Sequence, residues 1–471
     1  MRVLAKLLRR GRRGSARARE WLLSSHTQPK NSQKESQPIQ LVVGLDFGTS
    51  FTKVVIGESR IRYAVPFGPF CNGGNPLFLP SGLCVVADSG ECRLGVDADG
   101  AILHDNLKMP LIERDFSGDV RARAAAFLSL VLRYARGWLL EKHGRVYRGR
   151  KIEWFINVGL PTDSFDDAEL TSAYVGIVHA AWRLSIQPGA VSLSRARDQL
   201  ATSPADTGEF PEEHVERLLP ADRINAFPEF SAQVAGYVRS PRRQDGLHTM
   251  VDVGGGTLDV TVFNVHKDSA GDDIFPIFAR HVRPLGTRYL MQARRNALGR
   301  RGEWSYSPFD ELPSDAKLAR AHNVSMEKLE ELDRPFRKRA RTTVADALKY
   351  TKEQRYPTAP HWDSTKREYG VGMPSFFCGG GASADFYGSL LNSFEMLQPP
   401  YKLSQSILPV PEDLDVGRTA RKSNARLAVA YGLSFDPFDI GRIIRMSEIE
   451  DDHPDTTTPS YRDRYVGQEL T

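Results

Sequence analysis

The sequence predicts an α/β protein of two or more lobes with a cleft between two of them. From residue 40 onward, apolar runs typical of buried strands alternate with helix-like segments, which favours a layered α/β fold. Two segments, 41–50 and 249–259, each place an aspartate and a glycine turn directly after such a strand. A chain of 471 residues is too long for one simple core. We therefore expect the two turns to be half-sites that face each other across the cleft.

The bulk composition is that of an ordinary globular chain. Hydrophobic residues make up 41% and charged residues 26% of the sequence. No apolar run approaches the roughly 18 residues that a transmembrane helix needs, and none has the length typical of a secretory signal. The four cysteines form no C-x-x-C pair, so neither a zinc site nor a disulfide framework is indicated. A reducing, cytoplasmic location is the expectation.

The net charge of +5 originates in the N-terminal segment. Residues 1–40 hold ten lysines and arginines against two acids, so they carry +8 and the remainder about −3. A mildly acidic remainder argues against a specific nucleic-acid partner. We interpret 1–39 as a basic flexible tail. The alternatives are an anchor for a membrane surface or an acidic partner, and an organelle-targeting presequence.

Hydrophobic periodicity gives the expected order of elements. Strand-like runs are Leu41–Leu45, Lys53–Ile56, Glu153–Val158, Met250–Val253 and Val260–Phe263. Helix-like runs are Ala122–Tyr134, Ala168–Leu184, Pro335–Lys352 and Asn424–Tyr431. A further apolar run ends in a third glycine turn at Gly379, Gly380 and Gly381, with a helix expected from about Asp385.

We expect the chain to divide into a tail, two lobes, a return helix and a second tail. Lobe I is expected at 40–240, with an insertion at about 186–222 that lacks clear periodicity and is expected to be only partly ordered. Lobe II is expected at 241–420. A helix at 421–440 returns to lobe I, and 441–471 is expected to be an acidic flexible tail.

The two glycine turns carry groups suited to a phosphorylated ligand and its metal. Glycine permits close backbone approach, so the turns can direct N–H groups at phosphates. The predicted donors are Gly48, Thr49, Ser50, Gly254, Gly255, Gly256 and Thr257. Asp46 and Asp252 suit water-mediated contact with Mg²⁺, which keeps most of its waters. Lys53 is expected to contact a phosphate directly; the alternative is an exposed strand lysine.

The third turn is the candidate for the nucleoside side of the same cleft. Its strand-and-glycine pattern repeats that of the first two turns, and a helix is expected directly after it. The residues concerned are Gly379, Gly380, Gly381 and Ser383.

The order of these motifs resembles the actin, sugar-kinase and heat-shock ATPase superfamily. Within it, the chain looks most like the nucleotide-binding domain of the seventy-kilodalton heat-shock chaperones. GLDFGTS at 44–50 and DVGGGTLDV at 252–260 resemble the two phosphate motifs, and GGGAS at 379–383 resembles the adenosine motif. Segment 107–116 resembles the run that carries a catalytic lysine, at Lys108, and 228–232 resembles the first connecting helix, with Glu229 at the matching acid. RLAVAYG at 426–432 resembles the second connecting helix.

The resemblance implies an actin-like ATPase fold, in which two lobes, each with a mixed sheet and flanking helices, surround a central nucleotide cleft. It also implies a role for each matching residue. Asp46 and Asp252 would organise the metal and its waters, with Asp259 supporting the metal shell. Glu229 and Lys108 would position the attacking water; the alternatives are a structural ion-pair acid and a solvated loop lysine.

Two further roles follow from the same resemblance. Thr257 would contact the γ-phosphate. Asp346 and Lys349 would clamp the adenine, with a solvated charged helix face as the alternative.

The resemblance also has departures that shape the functional hypothesis. The insertion at 186–222 has no counterpart in the chaperones, and Lys53 is more typical of actin-like members. The chain is expected to leave no room for a peptide-binding domain after residue 440.

We therefore expect a slowly hydrolysing ATPase that binds ATP or ADP with Mg²⁺ and acts as a conformational switch for a protein partner. The alternatives are a filament-forming actin-like ATPase, a small-molecule kinase and a non-hydrolysing nucleotide-binding scaffold.

Overall fold

The structure is a computed structural model that describes residues 38–444 with gaps, together with residue 448. The gaps are 73, 96–99, 148–149, 162–166, 204–217, 299–311, 356–371, 391–392, 395–400, 407, 410 and 418–424. The basic tail predicted at 1–39 thus lies outside the described residues except for its last two positions. The same holds for most of the acidic tail predicted at 441–471.

Sixteen strands form three sheets in the described part of the chain. The strands are β1 Ile39–Phe47, β2 Phe51–Gly57, β3 Arg62–Ala64, β4 Leu79–Pro80, β5 Leu83–Val86, β6 Cys92–Leu94, β7 Ala101–His104, β8 Ile152–Leu160, β9 Ile224–Pro228, β10 Gly246–Val253, β11 Leu258–Lys267, β12 Asp273–Arg283, β13 Met373–Cys378, β14 Leu403–Ser406, β15 Leu414–Asp415 and β16 Arg442–Ile444. The first sheet has the order β15-β3-β2-β1-β8-β9, with β4 added to β2. The second is β14-β13-β10-β11-β12-β16, and a small third sheet is β6-β5-β7.

Eleven α-helices accompany these sheets in the same described residues. They are α1 Met109–Ile112, α2 Gly118–Lys142, α3 Gly144–Tyr147, α4 Ala168–Ile186, α5 Leu193–Ala201, α6 Glu229–Val238, α7 Thr287–Leu298, α8 Asp315–Ala321, α9 Met326–Tyr350, α10 Asp385–Gly388 and α11 Ala428–Gly432. Short 3-10 turns occur at Gly68–Phe70, Ala221–Arg223 and Pro437–Asp439, and a π-helical turn, Thr351–Arg355, extends α9. The chain is therefore a mixed α/β protein, as the alternating pattern predicts.

The two large sheets share one strand arrangement. In each, a central strand pairs antiparallel with the next strand along the chain and parallel with a later one: β1 with β2 and β8, and β10 with β11 and β13. The outer pairs also match, because β2–β3 and β11–β12 are antiparallel while β8–β9 and β13–β14 are parallel. The first two glycine turns join β1 to β2 and β10 to β11. They therefore occupy equivalent places in the two sheets.

The central strands are continuous apolar runs because both of their faces are covered. β1 is buried at eight of its nine residues, Gln40 being the exposed one. Helices α2 and α4 pack against the first sheet in one hydrophobic cluster, and α9 packs against the second sheet in another. All five predicted strand runs lie inside observed strands, and the helices predicted at Ala122–Tyr134 and Ala168–Leu184 are confirmed within α2 and α4.

Two helix starts differ from the predictions, and the predicted insertion contains a regular helix. The helix expected from Pro335 begins at Met326, because Ser325 caps it by accepting from the Lys328 N–H and the proline is tolerated inside. The insertion at 186–222 contains the regular helix α5, which Ser192 caps. The helix expected from Asn424 begins at Ala428 after a 3-10 turn.

The second large sheet also includes a later part of the chain than the predicted lobe II. The predicted flexible tail begins with β16, in which Arg442 and Ile444 pair with Ile274 and Pro276 of β12. The chain has already rejoined the first sheet at β15, before the return predicted at 421. Short edge strands of two or three residues carry too few periodic positions to be read from sequence.

Two helices lie between the large sheets and cross each other. α11 packs on the first sheet, where a Cβ on Gly44 would lie 2.1 Å from the Ala430 carbonyl oxygen. α6 packs on the second sheet through Phe230 and Val234. The helices meet where a Cβ on Gly432 would lie 1.8 Å from the Ala232 carbonyl oxygen. The glycine is therefore required for this close approach.

The helices of the described residues include none that is long and apolar enough to cross a membrane.

Candidate functional site

A cavity of about 400 Å³ lies between the two large sheets, and all three glycine turns line it. Most of the residues predicted from sequence line this one cavity: Asp46, Gly48, Thr49, Ser50, Lys53, Lys108, Glu229, Asp252, Gly254, Gly255, Gly256, Thr257, Asp259, Gly379, Gly380, Gly381 and Ser383. The cavity falls in the usual size range for small-molecule sites. Residues more than 300 positions apart in the sequence therefore line the same cavity.

The first two turns face each other directly. A Cβ on Gly255 would lie 2.3 Å from Ser50 Oγ, so a larger residue there would collide with the opposite turn. Ser81 supports the first turn, because its hydroxyl donates to the Gly48 carbonyl at 2.7 Å and its N–H donates to Ser50 O at 2.9 Å. The expected pair of opposed turns is present, and glycine is what allows their contact.

The second turn is held from behind by the start of α7. The N–H groups of Gly286, Thr287 and Arg288 donate to Gly256 O, Gly254 O and Gly255 O at 3.1, 3.1 and 2.9 Å. Within a planar trans peptide, the C=O and the next N–H point in opposite directions. With these carbonyls turned to α7, the N–H groups that follow them, those of Gly255, Gly256 and Thr257, point away from α7. The Gly254 N–H is not available to a phosphate as predicted, because it donates to Thr257 O at 2.9 Å. This arrangement can bind an anion.

The third turn packs against the end of β10. The Gly381 N–H donates to Val253 O at 2.9 Å. A Cβ on Gly379, which has φ +83°, would lie 2.3 Å from Asp252 Oδ1. The third turn is thus pressed against the aspartate that precedes the second turn, so both contribute to one wall.

Asp46 and Lys53 form an ion pair at the base of the first turn. They are register partners on β1 and β2, and Lys53 Nζ lies 2.8 Å from Asp46 Oδ2. The Lys53 side chain is 15% exposed and the Asp46 side chain 6% exposed, so Lys53 is not the exposed strand lysine of the alternative interpretation. Its ammonium group lines the cavity, where a phosphate could share it with Asp46.

Lys108 and Glu229 form a second ion pair, across the cavity floor. Lys108 Nζ lies 2.5 Å from Glu229 Oε1, and the lysine side chain is only 4% exposed. Burial by itself lowers the pKa of Lys108, but the attraction of and hydrogen bond to Glu229, together with the attraction of Tyr174 and Asp46, outweigh it and leave that pKa raised. Lys108 is therefore a buried cation, not a solvated loop lysine.

Asp252 and Asp259 are crowded, poorly solvated carboxyls on adjacent strands. Burial raises the pKa of Asp252 to about 6; a hydrogen bond from Gln233 Nε2, at 2.6 Å, opposes this rise. Burial, followed by repulsion from Asp252, raises the pKa of Asp259 well above its usual value. Asp259 Oδ1 is buried with no hydrogen-bond partner among the residues that the structure describes. A hydrogen bond from the Thr257 side chain and the attraction of Lys108 favour a charged Asp259, but burial has the larger effect and disfavours the negative charge.

These carboxyls fit a cation held largely through its waters. Within the described ranges, no three His, Cys, Asp or Glu side chains are close enough to ligate a metal together. Mg²⁺ commonly binds one or two carboxylates plus waters and substrate phosphates. Asp46 and Asp252 would reach such a cation through its waters, and the Asp259 oxygen that has no partner among the described residues would support that shell. A bound Mg²⁺ would offset their charge and that of a phosphate chain.

The predicted adenine clamp is not at this cavity. Asp346 and Lys349 both belong to the described part of α9, are exposed, and are absent from the cavity wall. The neighbouring α9 positions Val344, Ala347 and Leu348 are the ones that face the core. Helical periodicity accounts for this, because residues on the face opposite the buried stripe point to solvent. The alternative interpretation, a solvated charged face, describes these two residues better.

Five polar side chains at the cavity were missed from the sequence: Gln233, Thr261, Arg280, Thr287 and Arg426. Gln233 lies four residues after Glu229 on α6, and this spacing places both on one helix face. The spacing could therefore have identified Gln233. Arg280 and Arg426 have no comparable signal, because β12 and the segment before α11 reach the cavity only through tertiary packing.

The raised pKa of Asp252 gives a testable pH dependence. The folded protein holds this proton more tightly than the unfolded chain, where the pKa is 3.8, and in the fold it is about 6. The Asp252 contribution to the free energy of unfolding should therefore decrease as pH rises from about 3.8 to about 6, and it should stay constant at higher pH. Thermal unfolding of the ligand-free protein and of Asp252→Asn at pH 4 to 8 isolates this contribution.

The expected result is a variant that gains stability relative to the parent as pH rises toward 7. A difference between the two melting temperatures that does not change with pH would contradict the assignment.

Neither a comparison with known protein families nor a search of curated proteins found a match to this chain.

Proposed function

We propose that the chain is a slowly hydrolysing ATPase with an actin-like fold, which resembles the nucleotide-binding domain of the seventy-kilodalton heat-shock chaperones. In this proposal ATP or ADP binds with Mg²⁺ in the cavity between the large sheets. The convergence of three glycine turns and four carboxyls on that one cavity is the observation that carries the proposal. The equivalent strand order of the two sheets supports the actin-like assignment.

The proposed chemistry is phosphoryl transfer to water. Such transfer depends on positioning and on charge stabilisation. The N–H groups of the first two turns would bind the phosphates, with Thr257 beside the γ-phosphate. Glu229, paired with Lys108, would orient the attacking water. Mg²⁺, when bound near Asp46 and Asp252, would neutralise phosphate charge.

The proposed output is a change in the relation of the two lobes. The crossing helices α6 and α11 lie between the sheets, and Glu229 at the start of α6 is at the cavity. A ligand that contacts turns on both sheets favours the closed arrangement and can shift that equilibrium. A protein partner in the cytoplasm would read the resulting state.

Titration of the purified protein with ATP and Mg²⁺ tests the proposal. We expect saturable binding, and Asp252→Ala should weaken it by about tenfold or more because a carboxylate that holds the hydrated metal is removed. Isothermal titration calorimetry measures both affinities. Asp245→Ala is the matched control, since Asp245 is an exposed ion-paired aspartate outside the cavity wall. An absence of ATP binding, or equal affinity in parent and Asp252→Ala, would rule the proposal out.

A filament-forming actin-like ATPase is the second candidate. The observation in its favour is Lys53, whose ammonium group lines the phosphate region of the cavity. Sedimentation with ATP, with ADP and without nucleotide separates the two candidates. A pellet that requires ATP and grows with protein concentration would favour the filament. Protein that stays in the supernatant under all three conditions favours the switch.

A further inference from the structure

Arg426 lies at the mouth of the cavity, beside the third glycine turn. It precedes α11, and its guanidinium carbon lies 4.1 Å from the ring centroid of Phe78 and 5.4 Å from that of Phe51. Both rings belong to the side of the cavity formed by the first sheet. Arg426 is therefore held by aromatic contacts on one side of the cleft.

The same guanidinium reaches the other side of the cleft. A Cβ on Gly380 would lie 3.0 Å from Arg426 Nη2 and 3.5 Å from its Cζ. Gly380 follows β13 of the second sheet, so the missing side chain there is what lets the arginine approach the turn. Arg426 thus contacts elements of both sheets at the cavity wall.

This position suits recognition of an anion. A guanidinium stacked on an aromatic ring keeps its N–H donors in the plane of the group, where they can bind phosphate oxygens in pairs. The two cavity lysines are each close to a carboxylate, Lys53 to Asp46 and Lys108 to Glu229. A phosphate chain would share those lysines with the carboxylates. An arginine at the third turn adds positive charge at a different point of the chain.

We propose that Arg426 binds the phosphate chain of the nucleotide at its nucleoside end, where the chain would pass Gly380 of the third turn, and that it makes the site select nucleotides over nucleosides. This inference rests on the proposed nucleotide-binding function. Arg426 is held by aromatic rings on the first-sheet side of the cavity, and it would bind the nucleotide beside a turn that belongs to the second sheet. A nucleotide bound there contacts both sides of the cleft through Arg426 as well as through the two phosphate turns.

Calorimetric titration of the parent, Arg426→Gln and Arg426→Lys with ADP, ATP and adenosine tests the inference. Arg426→Gln should bind ADP and ATP about tenfold or more weakly, because a hydrogen bond to a charged group is lost. Its affinity for adenosine should stay at the parent value. Arg426→Lys should show a smaller loss, since it keeps the charge but lacks the planar pair of donors.

Arg239→Gln is the matched control. Arg239 also stacks on an aromatic ring, with its guanidinium carbon 4.2 Å from the Phe435 centroid, but it does not line the cavity. Its removal should leave all three affinities unchanged. Unchanged ADP affinity in Arg426→Gln, or equal losses for ADP and adenosine, overturns the inference while the proposed function stands. A parent protein that binds no nucleotide overturns both.

Discussion

Glu229→Gln is expected to lower the rate of ATP hydrolysis by about 100-fold or more, which is the scale of a general acid–base contribution. Glu229 lies at the cavity floor with its carboxylate 2.5 Å from Lys108 Nζ. The amide has nearly the same shape but can neither accept a proton nor orient a water as a carboxylate does. ATP affinity should change little, because the phosphate turns and Asp252 are intact. Single-turnover hydrolysis and calorimetry on the same preparation measure the two quantities.

The variant also leaves the buried Lys108 ammonium group without its negative partner, so a lower melting temperature is expected. Glu229→Asp keeps the charge and withdraws the carboxylate by one methylene, and its turnover should fall as well. Glu91→Gln is the matched control: Glu91 pairs with Arg93 on the surface, away from the cavity wall. Undiminished turnover in Glu229→Gln would remove this residue from the chemistry. A parent that binds ATP without turnover would instead favour the nucleotide-binding scaffold.

Gly432→Ala is expected to destabilise the protein by about 3 kcal/mol, at the upper end of overpacking effects. The added Cβ would lie 1.8 Å from Ala232 O and 2.5 Å from the Ala232 carbonyl carbon. Both are backbone atoms, so no rotamer change relieves the collision and the crossing helices α6 and α11 must separate. Urea unfolding measures the change in free energy. Weaker ATP binding should accompany it, because α6 carries Glu229 and Gln233 to the cavity.

Gly176→Ala is a matched control of opposite sign. Gly176 is inside α4, and a Cβ there would meet nothing within 4 Å. Alanine has the higher helix propensity, so stability should rise by up to about 1 kcal/mol. Equal effects of the two substitutions would mean that the helix crossing does not depend on close backbone contact.

The sequence predicts the central strands and the long helices of the first lobe well. β1, β2, β8, β10 and β11 are long apolar runs, and their burial follows from that pattern alone. The N-terminus of α9 is not foreseen, because Pro335 resembles a helix start while Ser325 is the actual cap. The edge strands β15 and β16 are missed for a different reason. Each is two or three residues long, and its pairing depends on a strand far away in sequence.

The residues of the candidate site also divide into those with a local sequence signal and those without one. Asp46, Asp252 and the three glycine turns carry local signals, because a strand that ends in an acid and a glycine turn is a local pattern. Asp346 and Lys349 show the limit of such patterns: an acid and a lysine one helical turn apart say nothing about which face of α9 points to the core. The packing of α9 decides that question, and it leaves both side chains exposed to solvent.

By itself, the sequence determined that this chain is α/β, which residues form its central strands and which turns are rich in glycine. Those properties are local, since they follow from periodicity and from residue type. Tertiary structure alone decided that Ser50 meets Gly255, that Lys108 pairs with Glu229 across 121 positions, and that Arg426 lies against Gly380. Each contact joins residues that are distant in the chain. Only the packing of two sheets around crossing helices brings these residues into contact.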